Sequence, residues 1–139
     1  MLDFFLSIVY YCISTVKDGD KMSWDFSSDK PIFQQLVDII TLKIVSGEYA
    51  KGERMPSVRD LAVLAGVNPN TVQRALSAVE ESGLIFTKRG DGRFVGEDDE
   101  IINSVKEKYV KENTDNFLSN LRALGLSDSE IKQAVNKNL

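Results

Sequence analysis

The most constraining feature of the sequence is the stretch at residues 55–82, which reads MPSVRDLAVLAGVNPNTVQRALSAVEES. Ser57 is a favourable N-cap for a short helix, and Gly66 lies where the chain must turn sharply, because glycine tolerates positive φ. Asn68 and Pro69 then open another helix, with Asn68 as its N-cap and Pro69 at its first position. The stretch therefore predicts two short helices joined by a tight turn.

The second helix of this pair is amphipathic when its residues are placed at about 100° intervals around a helix axis. One side carries Val72, Ala75, Leu76 and Val79, and the other carries Asn70, Gln73, Arg74, Ser77 and Glu81. We expect the apolar side to pack inwards and the polar side to face outwards. Amide and guanidinium groups near a helix N-terminus are side chains that hydrogen-bond base edges and phosphates, so this face is a candidate DNA-reading surface.

The segments around the pair complete a recognisable layout. Apolar residues recur at helical spacing over residues 32–45, which predicts a preceding helix. After the pair, residues 84–87 and 93–95 are predicted as strands that flank the basic, glycine-containing segment KRGDG at 88–92. The predicted fold class is therefore mostly α with a small β-hairpin: a winged helix-turn-helix in which the hairpin is the wing.

Charge and composition narrow the function. The net charge is −4, but residues 51–95 carry seven Lys/Arg against five Asp/Glu, and this is the net-positive part of the chain. DNA affinity depends on local basic surface rather than on the total charge. The sequence has no histidine, and its one cysteine, Cys12, cannot form an internal disulfide. We therefore expect no catalytic residues, no metal site and no cofactor, and a reducing, cytoplasmic location.

The chain begins with an apolar extension whose origin the sequence does not decide. Residues 1–16 are apolar, but they are short for a membrane span of about 20 residues and contain Asp3. They lack the basic start and the small-residue cleavage site of a signal peptide. Three explanations stay open for this extension, residues 1–21: an upstream start ahead of a native Met22, an apolar appendage that packs on the body or a partner, or a membrane anchor, which is the least favoured.

The tail, residues 97–139, is predicted to contain two helices. Four acidic residues at 97–100 favour a helix start, Gly125 ends that helix, and Ser127 with Glu130 forms a capping box for the next. A tail of this length is too small for an ordinary ligand-binding domain. We expect it to pair with a second copy of the chain through Ile102, Val105, Tyr109, Phe117, Leu121 and Leu124.

Over residues 31–95 the chain resembles the GntR family of bacterial transcriptional regulators. The matching segments are PIFQQLVDII, the run IVSGEYAKGERMPSVRDLAVLAGVNPNTVQRALSAVEESGLI, and KRGDGRFV. The variant NPNTV and the short helical tail are similar to the YtrA-like branch, whose members dimerise through such a tail. The implied organisation is a winged helix-turn-helix domain at 22–96 followed by a dimerisation tail at 97–139.

The resemblance also implies which residues contact DNA. They are Ser57 and Arg59 before the turn, Asn68, Asn70, Thr71, Gln73 and Arg74 on the recognition helix, and Arg89, Gly90 and Gly92 on the wing. The basic Lys88 beside them on the wing is a further candidate DNA contact. Two departures from the family stand out, because many members have arginine or serine in place of Pro69 and arginine in place of Gln73. These changes weaken phosphate attraction, whereas glutamine can pair bidentately with adenine.

The function these features imply is a sequence-specific transcription regulator, with repression favoured, that binds an inverted-repeat operator as a homodimer. YtrA-like regulators often lie beside an ABC transporter operon, which makes such an operon a candidate target. A small-molecule effector is a further candidate partner, with Tyr109 and Asp98 as the side chains that could line its pocket. The alternative function is a winged-helix protein-interaction module that binds an acidic partner without DNA readout.

Overall fold

The computed structural model describes residues 24–139, so the apolar extension at residues 1–21 lies outside the described residues. The elements in chain order are α1 (Ile32–Val45), α2 (Val58–Ala65), α3 (Pro69–Glu81), β1 (Ile85–Lys88), β2 (Gly92–Val95), α4 (Asp99–Ala123) and α5 (Asp128–Asn138). This confirms the predicted fold class of helices with a two-stranded antiparallel hairpin. Within the described part of the chain, no helix is both long and apolar enough to span a membrane.

Local sequence signals set the helix ends of the central pair. The Ser57 side chain accepts a hydrogen bond from the backbone N–H of Asp60 at 3.1 Å, which caps α2. Gly66 ends α2 in the left-handed conformation at φ +64°, where a side chain is unfavourable. The Asn68 side chain caps α3 by accepting from the N–H of Asn70 at 2.8 Å. The turn geometry predicted from the sequence is therefore confirmed.

The core lies where α1, α2 and α3 pack together and contact the hairpin. Its fully buried members include Leu36 and Ile40 of α1, Leu61 of α2, and Leu76 of α3. Leu84, which precedes β1, is also buried in this core. Burial of this apolar surface holds α3 in a fixed orientation, so its polar face is presented rigidly.

The hairpin is extended by a segment that the sequence patterns did not reveal as a strand. β1 and β2 pair in antiparallel register, with Ile85 opposite Val95. On the other side of β2, the N–H of Met55 donates to Arg93 O at 2.8 Å, and the N–H of Val95 donates to Glu53 O at 2.8 Å. Residues 52–55 therefore run alongside β2 and tie the wing to the start of α2.

The first half of α4 packs on the body. In the first half of α4, Ile102 joins the core and Val105 packs against it. One turn later the Tyr109 hydroxyl donates a hydrogen bond to the Asp38 carboxylate of α1 at 3.1 Å. α5 folds back on α4, starting at the predicted capping box of Ser127 and Glu130. The first half of α4 thus joins the tail to the body.

A buried lysine near the end of α1 contacts a carboxylate and two aromatic rings. Lys43 is 2% exposed, and its ammonium lies 2.6 Å from the carboxylate of Glu48. The same ammonium lies 5.1 Å from the ring centre of Trp24 and 5.9 Å from that of Tyr49. Since a buried charge is costly unless it is paired, the carboxylate and the two aromatic faces together compensate for the lost hydration of Lys43.

Candidate nucleic-acid interface

The recognition helix, α3, has the two faces that the helical wheel predicted. Val72, Ala75 and Leu76 are 0% exposed and Val79 is 1% exposed. On the opposite side Asn70, Gln73 and Arg74 are exposed, while Thr71 is half-buried. The helix therefore offers two amides and a guanidinium outwards from its first two turns, the part of a recognition helix that enters the major groove.

Arg74 is positioned by an aromatic contact rather than by an acid. Its guanidinium lies 4.7 Å from the ring centre of Phe33 on α1, a distance typical of a cation–π contact. The ring restricts the side chain while leaving its donors available, because a π face accepts none of them in a directed way. Arg74 is thus partly pre-ordered for a phosphate or a base edge.

The three residues proposed near α2 and at the turn differ in whether their polar groups are already hydrogen-bonded. Arg59 is exposed and forms no ion pair with any described residue. Ser57 and Asn68 are exposed as well, but each side-chain oxygen already caps its helix. Asn68 keeps its amide donors for another partner, whereas its oxygen has a structural role.

The wing presents a basic, glycine-containing tip. Gly90 and Gly92 have φ of +87° and +110°, so both use backbone conformations that favour glycine. Arg89 is exposed, and the Lys88 ammonium lies 3.9 Å from Asp91 and 5.7 Å from the ring centre of Phe94. Lys88 is therefore partly neutralised, and Arg89 is the stronger candidate for contact with DNA.

The structure brings these elements side by side. Arg93 of β2 lies 3.9 Å from Glu80 of α3, which links the wing to the recognition helix. A cleft of about 460 Å³ separates the start of α2 from the wing, and Ser57 and Gly92 both line it. The residues proposed on the two helices and the hairpin thus lie on neighbouring elements of one body.

One residue of this region was missed by the sequence reasoning. Arg54 lies in the strand-like segment 52–55 and is exposed beside Gly92. Its position depends on pairing with β2, which no local pattern predicts. The available signal was a basic residue in the extended piece immediately before Met55 and Pro56.

The residues predicted to form the dimer contact fall into two groups. Ile102, Val105 and Tyr109 contact the body of their own chain, as described above. Phe117, Leu121 and Leu124 lie farther along α4, where the first two are half-buried and Leu124 is 77% exposed. The structure therefore does not place the six residues on one uniform surface.

Tyr109 also lines a second cleft, between body and tail. This cleft measures about 550 Å³ and is bounded by α1, the end of α3 and α4, with Val37, Val79 and Val105 among its apolar walls. Asp38 also lines this cleft. Burial raises the pKa of its carboxyl group, and the hydrogen bond from Tyr109 opposes that rise. Asp98, the other predicted pocket residue, instead caps α4 by accepting from the N–H of Glu100 at 2.9 Å.

Comparison with known proteins agrees with this geometry. Residues 33–95 match the family described as bacterial regulatory proteins, gntR family. The helix-turn-helix-type transcriptional regulator YhcF of Bacillus subtilis is 38% identical over 114 residues, covering 82% of this chain and 94% of that protein. The helix-turn-helix-type transcriptional repressor YtrA of the same organism is 37% identical over 73 residues, covering 52% of this chain and 56% of its own length.

A solved structure shows the same fold across body and tail. The GntR family transcriptional regulator from Listeria monocytogenes superposes with a TM-score of 0.76 at 39% identity, covering 81% of this chain and 98% of that one. The likeness therefore extends beyond the residues matched by the family and includes the helical C-terminal region.

Proposed function

The chain belongs to the gntR family of bacterial regulatory proteins, a family of DNA-binding transcription regulators and not of enzymes, and we propose that it is a repressor that binds an inverted-repeat operator as a homodimer. Similarity to YtrA supports its place in the YtrA-like branch. The family favours DNA readout over the alternative of a protein-interaction module. We place its action in the cytoplasm, where bacterial DNA lies.

The observation that carries the proposal is the division of α3 into a buried face and an exposed polar face. Gln73 and Arg74 point away from the core, and the glutamine amide can pair bidentately with adenine in the major groove. The arginine is ready for a phosphate or a guanine. The remaining proposed contacts, on α2 and on the wing, are suited to the sugar–phosphate backbone, which fixes the register of α3 on the duplex.

The direct test is binding to the DNA upstream of the protein's own gene. Fluorescence anisotropy with a labelled fragment, against a scrambled duplex of equal composition, should show tighter binding to the upstream fragment. Affinity for both should fall steeply as salt rises, because phosphate contacts release counterions. Equal, salt-insensitive binding to both duplexes would reject the proposal.

We propose that the tail forms the dimer contact, but through fewer of its residues than the sequence suggested. We assign the contact between copies to the far half of α4, around Phe117, Leu121 and Leu124. Ile102, Val105 and Tyr109 then have a different role, which is to fix the tail on the body. Two bodies fixed in this way present two α3 helices related by a twofold axis, as an inverted repeat requires.

The dimer contact can be tested with Leu124→Asp, which places a charge on a residue that is 77% exposed in one chain. Light scattering after size-exclusion chromatography should give a dimer for the wild type and a monomer, or a strongly weakened dimer, for the variant. Val63→Asp is the matched control, because Val63 is 79% exposed on α2, away from the tail. Equal masses for the wild type and Leu124→Asp would place the contact elsewhere.

Repression and its target are tested in cells. The similarity to a repressor supports repression, and the resemblance to YtrA-like regulators, which often lie beside an ABC transporter operon, makes such an operon near the gene the proposed target. Deleting the gene should raise the transcripts of that operon, whereas a fall in those transcripts would identify an activator. Unchanged transcripts would place the regulated genes elsewhere.

The body–tail cleft is where we place a small-molecule effector. It is bounded by the end of α3 and by α4, so a molecule bound there would contact both the DNA-reading helix and the tail. Val105→Trp adds bulk to one wall of the cleft and should abolish the response of DNA binding to an effector. An effector that acts equally on this variant would bind at another site.

A further inference from the structure

The six arginines of the chain divide into two groups by what they contact. Arg93 lies 3.9 Å from Glu80, and Arg122 lies 3.0 Å from Asp128. Four others form no ion pair with any residue in the range 24–139: Arg54, Arg59, Arg74 and Arg89. Three of these four are already proposed DNA contacts. The fourth, Arg54, has no assigned role.

The position of Arg54 is fixed by its backbone. It forms a β-bridge with Phe94 of β2, and its neighbours Glu53 and Met55 are hydrogen-bonded to the same strand. Residues paired across a ladder project to the same side of a sheet. The side chain of Arg54 therefore stays on the wing, even though it begins in the segment that leads into α2.

The guanidinium of Arg54 lies against a glycine. A Cβ atom at Gly92 would lie 3.5 Å from Nε and 3.6 Å from Nη2 of Arg54, which is van der Waals distance, so the guanidinium lies directly beside the glycine backbone. No hydrogen bond joins Arg54 side-chain donors to another described residue. An exposed guanidinium with several free donors in a planar fork is suited to a phosphate.

The residues around Arg54 indicate which end of the neighbouring cleft would bind an anion. Arg54 lines the 460 Å³ cleft between α2 and the wing, together with Ser57, Gly92 and Arg93. Asp60 also lines this cleft, and its carboxylate repels an anion from the α2 side. The basic end of the cleft is therefore the wing end.

We propose that Arg54 binds a backbone phosphate of the operator at the wing end of this cleft, between the contacts made by α2 and those made by the wing. This inference rests on the proposed function, since it adds a residue to the same interface. A phosphate contact carries no base information, so its effect must be equal on all sequences.

The test uses Arg54→Gln and Arg54→Lys in the full-length protein. For Arg54→Gln we expect roughly eightfold weaker binding at 0.1 M salt and a salt slope smaller by about 0.9, on operator and scrambled duplex alike. Arg54→Lys should keep most of the slope, because it retains the charge. Lys137→Ala, which removes an exposed charge from the end of α5, should leave both quantities unchanged.

The outcomes separate this inference from the proposed function. If the wild type binds DNA in a salt-sensitive way and Arg54→Gln has the same affinity and slope, the role of Arg54 is refuted and the function stands. If the wild type itself shows no such binding, the proposed function fails. A loss confined to the operator would make Arg54 a base contact and overturn the phosphate assignment. Thermal unfolding of each variant must stay near that of the wild type, since a structural role predicts lost stability with an unchanged slope.

Discussion

Replacing Tyr109 with phenylalanine removes the hydroxyl that joins the tail to the body. That hydroxyl donates to Asp38 at 3.1 Å, across 71 residues of sequence. A hydrogen bond to a charged group contributes about 1.5–3 kcal/mol, and since both residues are half-buried we take the lower end, about 1.5 kcal/mol. For a chain of this size that loss lowers the thermal unfolding midpoint by roughly 5 °C.

The pH dependence of this loss has a definite sign. Burial raises the pKa of Asp38 above its ordinary value of 3.8, so the folded protein binds that proton more tightly than the unfolded chain. The charged carboxylate therefore costs stability at neutral pH, and the cost disappears as the pH falls below the folded pKa. The Tyr109 hydroxyl stabilises the charged form, so Tyr109→Phe should destabilise most at neutral pH and least in acid.

Thermal unfolding followed by circular dichroism, at pH 7 and at pH values down to about 4, measures both effects. Tyr49→Phe is the control, because Tyr49 is also half-buried and its hydroxyl forms no hydrogen bond to another described residue. An unchanged midpoint for Tyr109→Phe, or a loss that grows towards acid pH, would refute this account of the body–tail joint.

Two further predictions concern other contacts. Arg74→Ala should weaken operator binding about tenfold in anisotropy titrations, as expected for one lost arginine contact, while Lys137→Ala leaves it unchanged; equal affinities would remove Arg74 from the interface. Glu48→Gln removes the carboxylate that lies 2.6 Å from the buried ammonium of Lys43, and since Glu48 is 24% exposed we expect a loss of about 2 kcal/mol, seen as a lower urea midpoint. Restored stability in the double variant with Lys43→Met would support that reason, and an unchanged midpoint for Glu48→Gln would contradict it.

The features that the sequence predicted well are those determined by neighbouring residues. Caps such as Ser57 and Asn68 act over two or three positions, and the buried face of α3 follows from helix geometry alone. The helix and strand positions could therefore be predicted, and the buried face of the recognition helix with them. Whether the exposed residues contact DNA stays a prediction, since it depends on a partner.

The features that escaped prediction depend on contacts between distant residues. The pairing of residues 52–55 with β2 brings Arg54 to Gly92, and no pattern within either segment indicates it. From the apolar spacing along α4 we expected Tyr109 to contact a second copy of the chain, and its hydrogen bond to Asp38 of the same chain was not predicted. Periodicity identifies a buried face, whereas the partner of that face is set by tertiary packing.

The central claim is that α3 reads a DNA sequence twice, once from each copy of the chain. Selection of bound duplexes from a randomised pool, followed by sequencing, tests it most directly. We predict enrichment of an inverted repeat whose half-sites lie about one helical turn, or a multiple of it, apart. The variant Gln73→Ala should select the same spacing with relaxed preference at one position in each half-site. Enrichment of no motif, or of one unrepeated site that Gln73→Ala selects equally well, would contradict the account.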